Sequence, residues 1–194
     1  KVEYSERGGR KVPSGYELEI VDLGPSGLTG LSATGVRLVK LPETADERPV
    51  DVTIEEANVS LGVLSALFGN LSVDFDVALA GGDIVGNFTQ GGTTTEIEAT
   101  IDDVKLRRVG VLRGVVGLPM AGNLGGEIDL VIAEDQTQTA GTIDLAIDGL
   151  ALGDGNAKLK IEGLPGEGLT VERLDAGNVE LFATVEEGTA TIER

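Results

Sequence analysis

Gly141-Thr142-Ile143-Asp144-Leu145-Ala146-Ile147-Asp148-Gly149-Leu150-Ala151-Leu152 is the stretch whose reading decides the fold. Ile143, Leu145 and Ile147 alternate with acids and small residues, which is the period of a strand with one wet face. The same pattern stands earlier as Thr95-Glu96-Ile97-Glu98-Ala99-Thr100-Ile101-Asp102-Asp103-Val104-Lys105-Leu106, with Ile97 and Ile143 separated by 46 residues. Gly117-Leu118-Pro119 recurs at that offset as Gly163-Leu164-Pro165, and Val50-Asp51-Val52-Thr53-Ile54-Glu55-Glu56 is a looser copy. In each unit an acidic or glycine pair bends the chain and a short apolar pair follows. The expectation is a sheet grown from similar hairpins on a repeat of about 46 residues.

Working outward, the cleanest alternation is Leu71, Val73, Phe75, Val77 and Leu79 against Ser72, Asp74, Asp76 and Ala78. Nine such residues reach about 30 Å as a strand. Gly81-Gly82-Asp83 then turns the chain into Ile84-Gly86-Phe88, and Gly91-Gly92 turns it again into the Ile97 strand. Tyr16, Leu18 and Ile20 open the series, with turns expected at Gly24-Pro25-Ser26-Gly27 and Gly30. Val36 to Leu41 follows, then a polar loop from Pro42 to Pro49. Leu124, Ile128, Leu130 and Ile132 alternate in their turn, and further strands are expected at 157–161, 169–171, 179–185 and 189–192. Two short helices are expected. One is capped by Ser60 over Val63, Leu64, Leu67 and Phe68; the other spans Val109 to Val116 and ends at Gly117 and Pro119. Lys1 to Pro13 reads as a polar leader, and 14–194 as a single β-rich domain.

A run of one-face-wet hairpins suits two architectures: a closed barrel or sandwich, or a long curled antiparallel sheet with a groove. In either, Leu71, Val73, Phe75, Val77, Leu79, Ile97, Ile101, Ile128, Leu130, Ile132, Ile143, Leu145 and Ile147 form one apolar face. In a barrel that face is core. In an open sheet it holds acyl chains, and about 14 methylenes at roughly 0.8 kcal/mol each give about 11 kcal/mol of gross transfer.

Composition narrows the chemistry. Thirty-three acids against fifteen bases give a formal charge of −18, a surface that repels phosphate backbones and argues against nucleic acid. The chain has no Cys and no His, which removes disulfides, thiolate nucleophiles, Ser-His-Asp triads and His/Cys metal sites. Tandem acids such as Asp102-Asp103 point to opposite faces of a strand, and Asp74 and Asp76 share only the solvated one. Sugar chemistry lacks its aromatic platforms, with no Trp, two Tyr and four Phe. Asp154-Gly155-Asn156 reads as a turn, lacking the order and distal Glu of a calcium loop. The glycine pairs, Gly125-Gly126 among them, read as hairpin turns or bulges, because none carries a phosphate-loop motif. No enzyme, no cofactor and no metal site is expected. No run approaches the roughly 20 apolar residues of a membrane span.

Val50 to Gly69, Leu71-Ser72-Val73-Asp74-Phe75 and Gly81-Gly82-Asp83-Ile84-Val85-Gly86 together resemble AsmA-like periplasmic proteins. With Gly117-Leu118-Pro119-Met120-Ala121-Gly122-Asn123-Leu124-Gly125-Gly126-Glu127-Ile128-Asp129-Leu130 and Gly141-Thr142-Ile143-Asp144-Leu145, the chain is most similar to the long, AsmA-like form of the protein N family of the type II secretion system. The resemblance covers 14–194. It implies a non-enzymatic periplasmic component of type II secretion that contacts other proteins of that system. It also implies a parent anchored in the inner membrane of a Gram-negative bacterium by an N-terminal helix that this sequence does not contain. The wider AsmA-like group implies an alternative, lipid binding or transfer along a β groove.

Overall fold

Alternating, β-branched sequence on a wet surface can satisfy its backbone only by pairing with neighbours, and this chain pairs almost end to end. The computed structural model describes residues 4–7, 10–13, 16–40, 50–62, 69–110, 112, 118–159 and 169–193. A small hairpin comes first, β1 (Tyr4–Arg7) with β2 (Arg10–Pro13), inside the stretch expected to be an unpatterned leader. Then follow β3 (Tyr16–Ser26), β4 (Gly30–Lys40), β5 (Val50–Leu61), β6 (Leu71–Leu79), β7 (Gly82–Gly91), β8 (Thr94–Lys105), β9 (Met120–Ala133) and β10 (Ala140–Leu152). After a second small hairpin, β11 (Ala157–Leu159) with β12 (Leu169–Val171), come β13 (Leu174–Glu186) and β14 (Thr189–Glu193).

Ten of these strands form one antiparallel sheet in the order β3-β4-β5-β6-β7-β8-β9-β10-β13-β14. Every neighbour is the next strand along the chain, save that β11–β12 is inserted where β10 meets β13. At about 4.8 Å per strand the sheet is some 43 Å across. It does not close, since its end strands β3 and β14 do not pair with each other. The closed barrel is thereby set aside and the open sheet stands.

The Val50 stretch lies on β5 and the Ile97 stretch on β8, three places apart and running in opposite directions. Ile97 and Ile143 lie on β8 and β10, two apart and running the same way. The acid pair Asp102-Asp103 does bend the chain: the register of β8 against β9 shifts between Ile101 and Val104, with Asp103 at φ +49°. That bulge returns Val104 to the face of Ile101. A second bulge at Glu55 turns its carboxylate to the β6–β7 turn, where Oε2 accepts from the Gly81 N–H at 3.1 Å. Lys105 donates to the Gly81 carbonyl at 3.1 Å, so both backbone groups of the turn tip are satisfied.

Several expectations are corrected. The two short helices are not borne out among the described residues. Ser60 and Leu61 extend β5, paired with Asp74 and Val73, and the helix expected over 63–68 lies outside the described residues. Of Val109 to Val116 only Val109, Gly110 and Leu112 are described. Leu112 donates to the Val109 carbonyl just after the 3-10 turn Leu106–Arg108, Gly110 and Leu112 are helical, and the rest of that segment lies outside the described residues. The loop Pro42 to Pro49 also lies outside the described residues. Gly24 and Pro25 belong to β3, paired with Ser32 and Leu31, and the chain reverses at Gly27. Proline is tolerated there because β3 is an edge. Of the two expectations for Gly125-Gly126, the turn fails, since the pair lies inside β9, but it does stand at a bulge: Gly125 faces Asp102-Asp103 of β8.

Among the described residues the buried apolar set is Ala80, Val104, Leu106, Ala133, Ala151 and Ala183, and no large side chain is fully buried. The chain exposes 13100 Å², against about 8,700 Å² for a compact monomer of this mass. Among the described residues this is one layer of sheet with neither face packed under a second layer.

Candidate functional site

Directly opposed residues of an antiparallel pair share a face, so the register defines the rows that cross the sheet. One row runs Leu31, Val59, Phe75, Gly86, Ala99, Ile128, Ile143, Ala183, Ile192. A second runs Ala33, Ala57, Val77, Ile84, Ile101, Gly126, Leu145, Leu181. A third runs Leu61, Val73, Phe88, Ile97, Leu130, Gly141, Val185, Ala190. Ile147 stands between Leu124 and Val179, Leu79 between Ile54 and Gly82, Leu71 opposite Gln90, and Ile132 opposite Thr95. All the aliphatic residues anticipated on one face thus lie on one face. To the residues anticipated there the register adds Ile84, Phe88, Leu124, Val179 and Leu181.

This face is half-exposed. Phe75, Val77, Ile97, Ile101, Ile128, Leu130, Ile143, Leu145 and Ile147 are all of intermediate accessibility, and Leu71 and Ile132 are exposed. No second sheet and no strand from elsewhere packs broadly over it among the described residues. Its side chains find partial shelter over glycines. A Cβ built at Gly86 would lie 2.6 Å from Cζ of Phe75, and one at Gly141 2.9 Å from Cδ2 of Leu130. Bulky side chains therefore lean across positions that carry none, which smooths the surface into a continuous apolar floor.

The opposite face is acidic. Glu98 stands opposite Asp129, Glu127 opposite Asp144, and Asp83 opposite Asp102. One network relieves it: Asn87 Nδ2 donates to Asp74 Oδ1 at 2.7 Å and to Ser72 Oγ at 3.1 Å, and Thr89 donates to Asn87 Oδ1 at 2.7 Å. Among the described residues no three potential metal ligands gather. Asp154 Oδ1 accepts from the N–H groups of Asn156 and Ala157, as a turn residue does. Asp135, beyond β9, accepts from the hydroxyl and N–H of Thr137, and these bonds hold its carboxyl below the ordinary value. The small stabilisation this gives is present above the ordinary carboxylate range and fades as pH falls.

Like charges directly opposed cost a few tenths of a kcal/mol per pair and are screened by salt. The urea midpoint is therefore expected to rise between 0.05 M and 0.5 M NaCl, and Glu127→Gln to raise it at low salt but hardly at high salt. A midpoint indifferent to salt would remove this account of the acidic face.

The chain matches no protein-family model, no curated protein and no solved structure.

Proposed function

We propose that this chain is a non-enzymatic, contact-making module of the type II secretion apparatus, held in the periplasm by a parent anchored in the inner membrane. The observation that carries the class is a ten-stranded sheet with one largely apolar face and, among the described residues, two unpaired edges. Such a surface is completed by a partner, through strand addition at an edge or cover over the face. The assignment to secretion rests on the phrases shared with the protein N family, from Val50-Asp51-Val52 to Gly141-Thr142-Ile143. The finer form of the fold, a sheet curled into a half-barrel of the AsmA-like kind, belongs to the same proposal; right-handed strand twist summed over ten strands favours it. Deleting the gene is expected to trap exoproteins in the periplasm and to deplete them from the medium. Unchanged secretion would remove this reading.

A second reading is favoured by one feature, the unbroken apolar rows. Covering 1,000 Å² of them would contribute about 25 kcal/mol gross, before any entropy is lost. Acyl chains supply such cover without needing sequence complementarity. Native mass spectrometry of the purified chain is then expected to show bound lipid, and a clean apo mass under gentle conditions would exclude carriage.

A further inference from the structure

Cations are scarce in this chain, yet two stand adjacent and uncommitted. Arg107 and Arg108 form the 3-10 turn that ends β8, and neither makes a hydrogen bond or ion pair among the described residues. Arg108 turns toward the β6–β7 hairpin, where its Nη1 comes within 2.8 Å of a Cβ built at Gly81. Arg107 goes elsewhere. It lines a cleft of about 580 Å³ together with Arg173, which stands just before β13. Arg173 gives its Nε to Asp175 at 2.7 Å, and its terminal NH₂ groups bond no other described residue. The one acid of the lining, Asp154, is engaged by its own turn.

The rest of the cleft is apolar and fixed. Leu106 and Met120 contribute to it, and both continue the apolar alternation, from Val104 on β8 and from Leu124 on β9. Gly153 donates to the Pro119 carbonyl at 2.8 Å, tying the chain beyond β10 to the approach to β9. The apolar face therefore ends in a pocket with two guanidinium groups on its rim. Another cleft, over β13 and β14, presents Glu186, Glu187 and Glu193 and no base. That second cleft opens on the acidic face, where Thr184 and Thr191 stand, whereas the cleft with Arg107 and Arg173 adjoins the apolar rows and suits a negative charge.

We infer that this cleft is the head-group site for an anionic amphiphile whose acyl chain lies along the apolar face. The inference rests on the lipid reading of that face and adds the head-group class, the orientation and the residues. Planar guanidinium forks on Arg107 and Arg173 take the oxygens of a phosphate, and Leu106, Val109 and Met120 receive the first methylenes.

The test is native mass spectrometry of the full 194-residue chain with phosphatidylglycerol, with phosphatidylcholine of the same acyl chains, and with inorganic phosphate alone. Phosphatidylglycerol is expected to bind about tenfold more tightly than phosphatidylcholine, and inorganic phosphate not measurably. The double variant Arg107→Gln/Arg173→Gln is expected to bring phosphatidylglycerol down to the phosphatidylcholine level and leave the latter unchanged. Arg108→Gln, outside the cleft, is expected to keep the preference. Far-UV circular dichroism checks the fold, and either single variant, with a partial loss of preference, replaces the double one should that fail to fold. Equal binding of both lipids overturns this inference and leaves the lipid reading standing. Binding of neither overturns both. Inorganic phosphate held as tightly as phosphatidylglycerol marks a plain anion site and overturns the amphiphile assignment.

Discussion

Gly126→Val is expected to cost about 4 kcal/mol in urea unfolding, while Gly125→Val one residue earlier costs nothing or stabilises slightly. Both glycines lie in the interior of β9 and read alike in sequence. Gly126 has φ +146°, where an L side chain is strained by about 1–3 kcal/mol. A Cβ on it would also clash with the Asp144 carbonyl oxygen and lie 2.8 Å from the Leu145 Cα, both backbone of the paired strand β10. Backbone cannot swing aside as a side-chain tip does, so overpacking adds a further 1–3 kcal/mol or so. At Gly125 the nearest atom to a built Cβ is the Ile101 carbonyl at 3.5 Å, ordinary contact, and its φ is not positive. Valine there gains strand propensity and reduces unfolded-chain entropy. Equal costs at the two positions would contradict the register of β9 against β10.

That pair also shows what could be read from the sequence. Leu71 to Leu79 was legible because its alternation is free of errors over nine residues and β6 occupies just that span. Asp102-Asp103 was legible as a bend, since tandem acids break the period. Gly125-Gly126 was legible only as a turn or a bulge, and what decides between them is not local: β8 and β10 pass on either side, so the pair stays in the strand opposite the β8 bulge. Ser60 failed for a related reason: its capping signal is local, whereas pairing with Asp74 carries β5 past it. Openness was illegible in principle. Alternation says that each strand has one apolar side and nothing about what covers it; the register of all ten strands was needed to show a face that no described residues cover. The cleft was likewise hidden, since Arg107 and Arg173 are brought together only by the pairing of β8 to β9, β9 to β10 and β10 to β13.

Ile128→Asn separates an open apolar face from a dry core by the ratio of two effects. Ile128 lies mid-sheet, between Ala99 and Ile143, and is of intermediate accessibility. Full burial of such a side chain is worth about 1.5–3 kcal/mol, so half-exposure leaves about 1 kcal/mol to lose. The new amide also reaches water, so it adds no desolvation penalty to the unliganded protein. In a closed core the same change would lose the whole transfer term, leave a cavity and strand an unsatisfied amide, together about 4 kcal/mol or more. The open sheet therefore predicts a stability loss near 1 kcal/mol. Binding responds in the opposite proportion. An acyl chain laid over residue 128 would dehydrate the amide at about 1–3 kcal/mol, lowering lipid retention roughly tenfold or more. Thr100→Asn, on the acidic face directly opposite Val85 and Glu127, is expected to leave retention unchanged. A loss above 3 kcal/mol at Ile128 would mean that the face is covered tightly by protein. A loss near 1 kcal/mol with retention intact would mean that lipid lies elsewhere, and would leave the apolar rows to a protein partner.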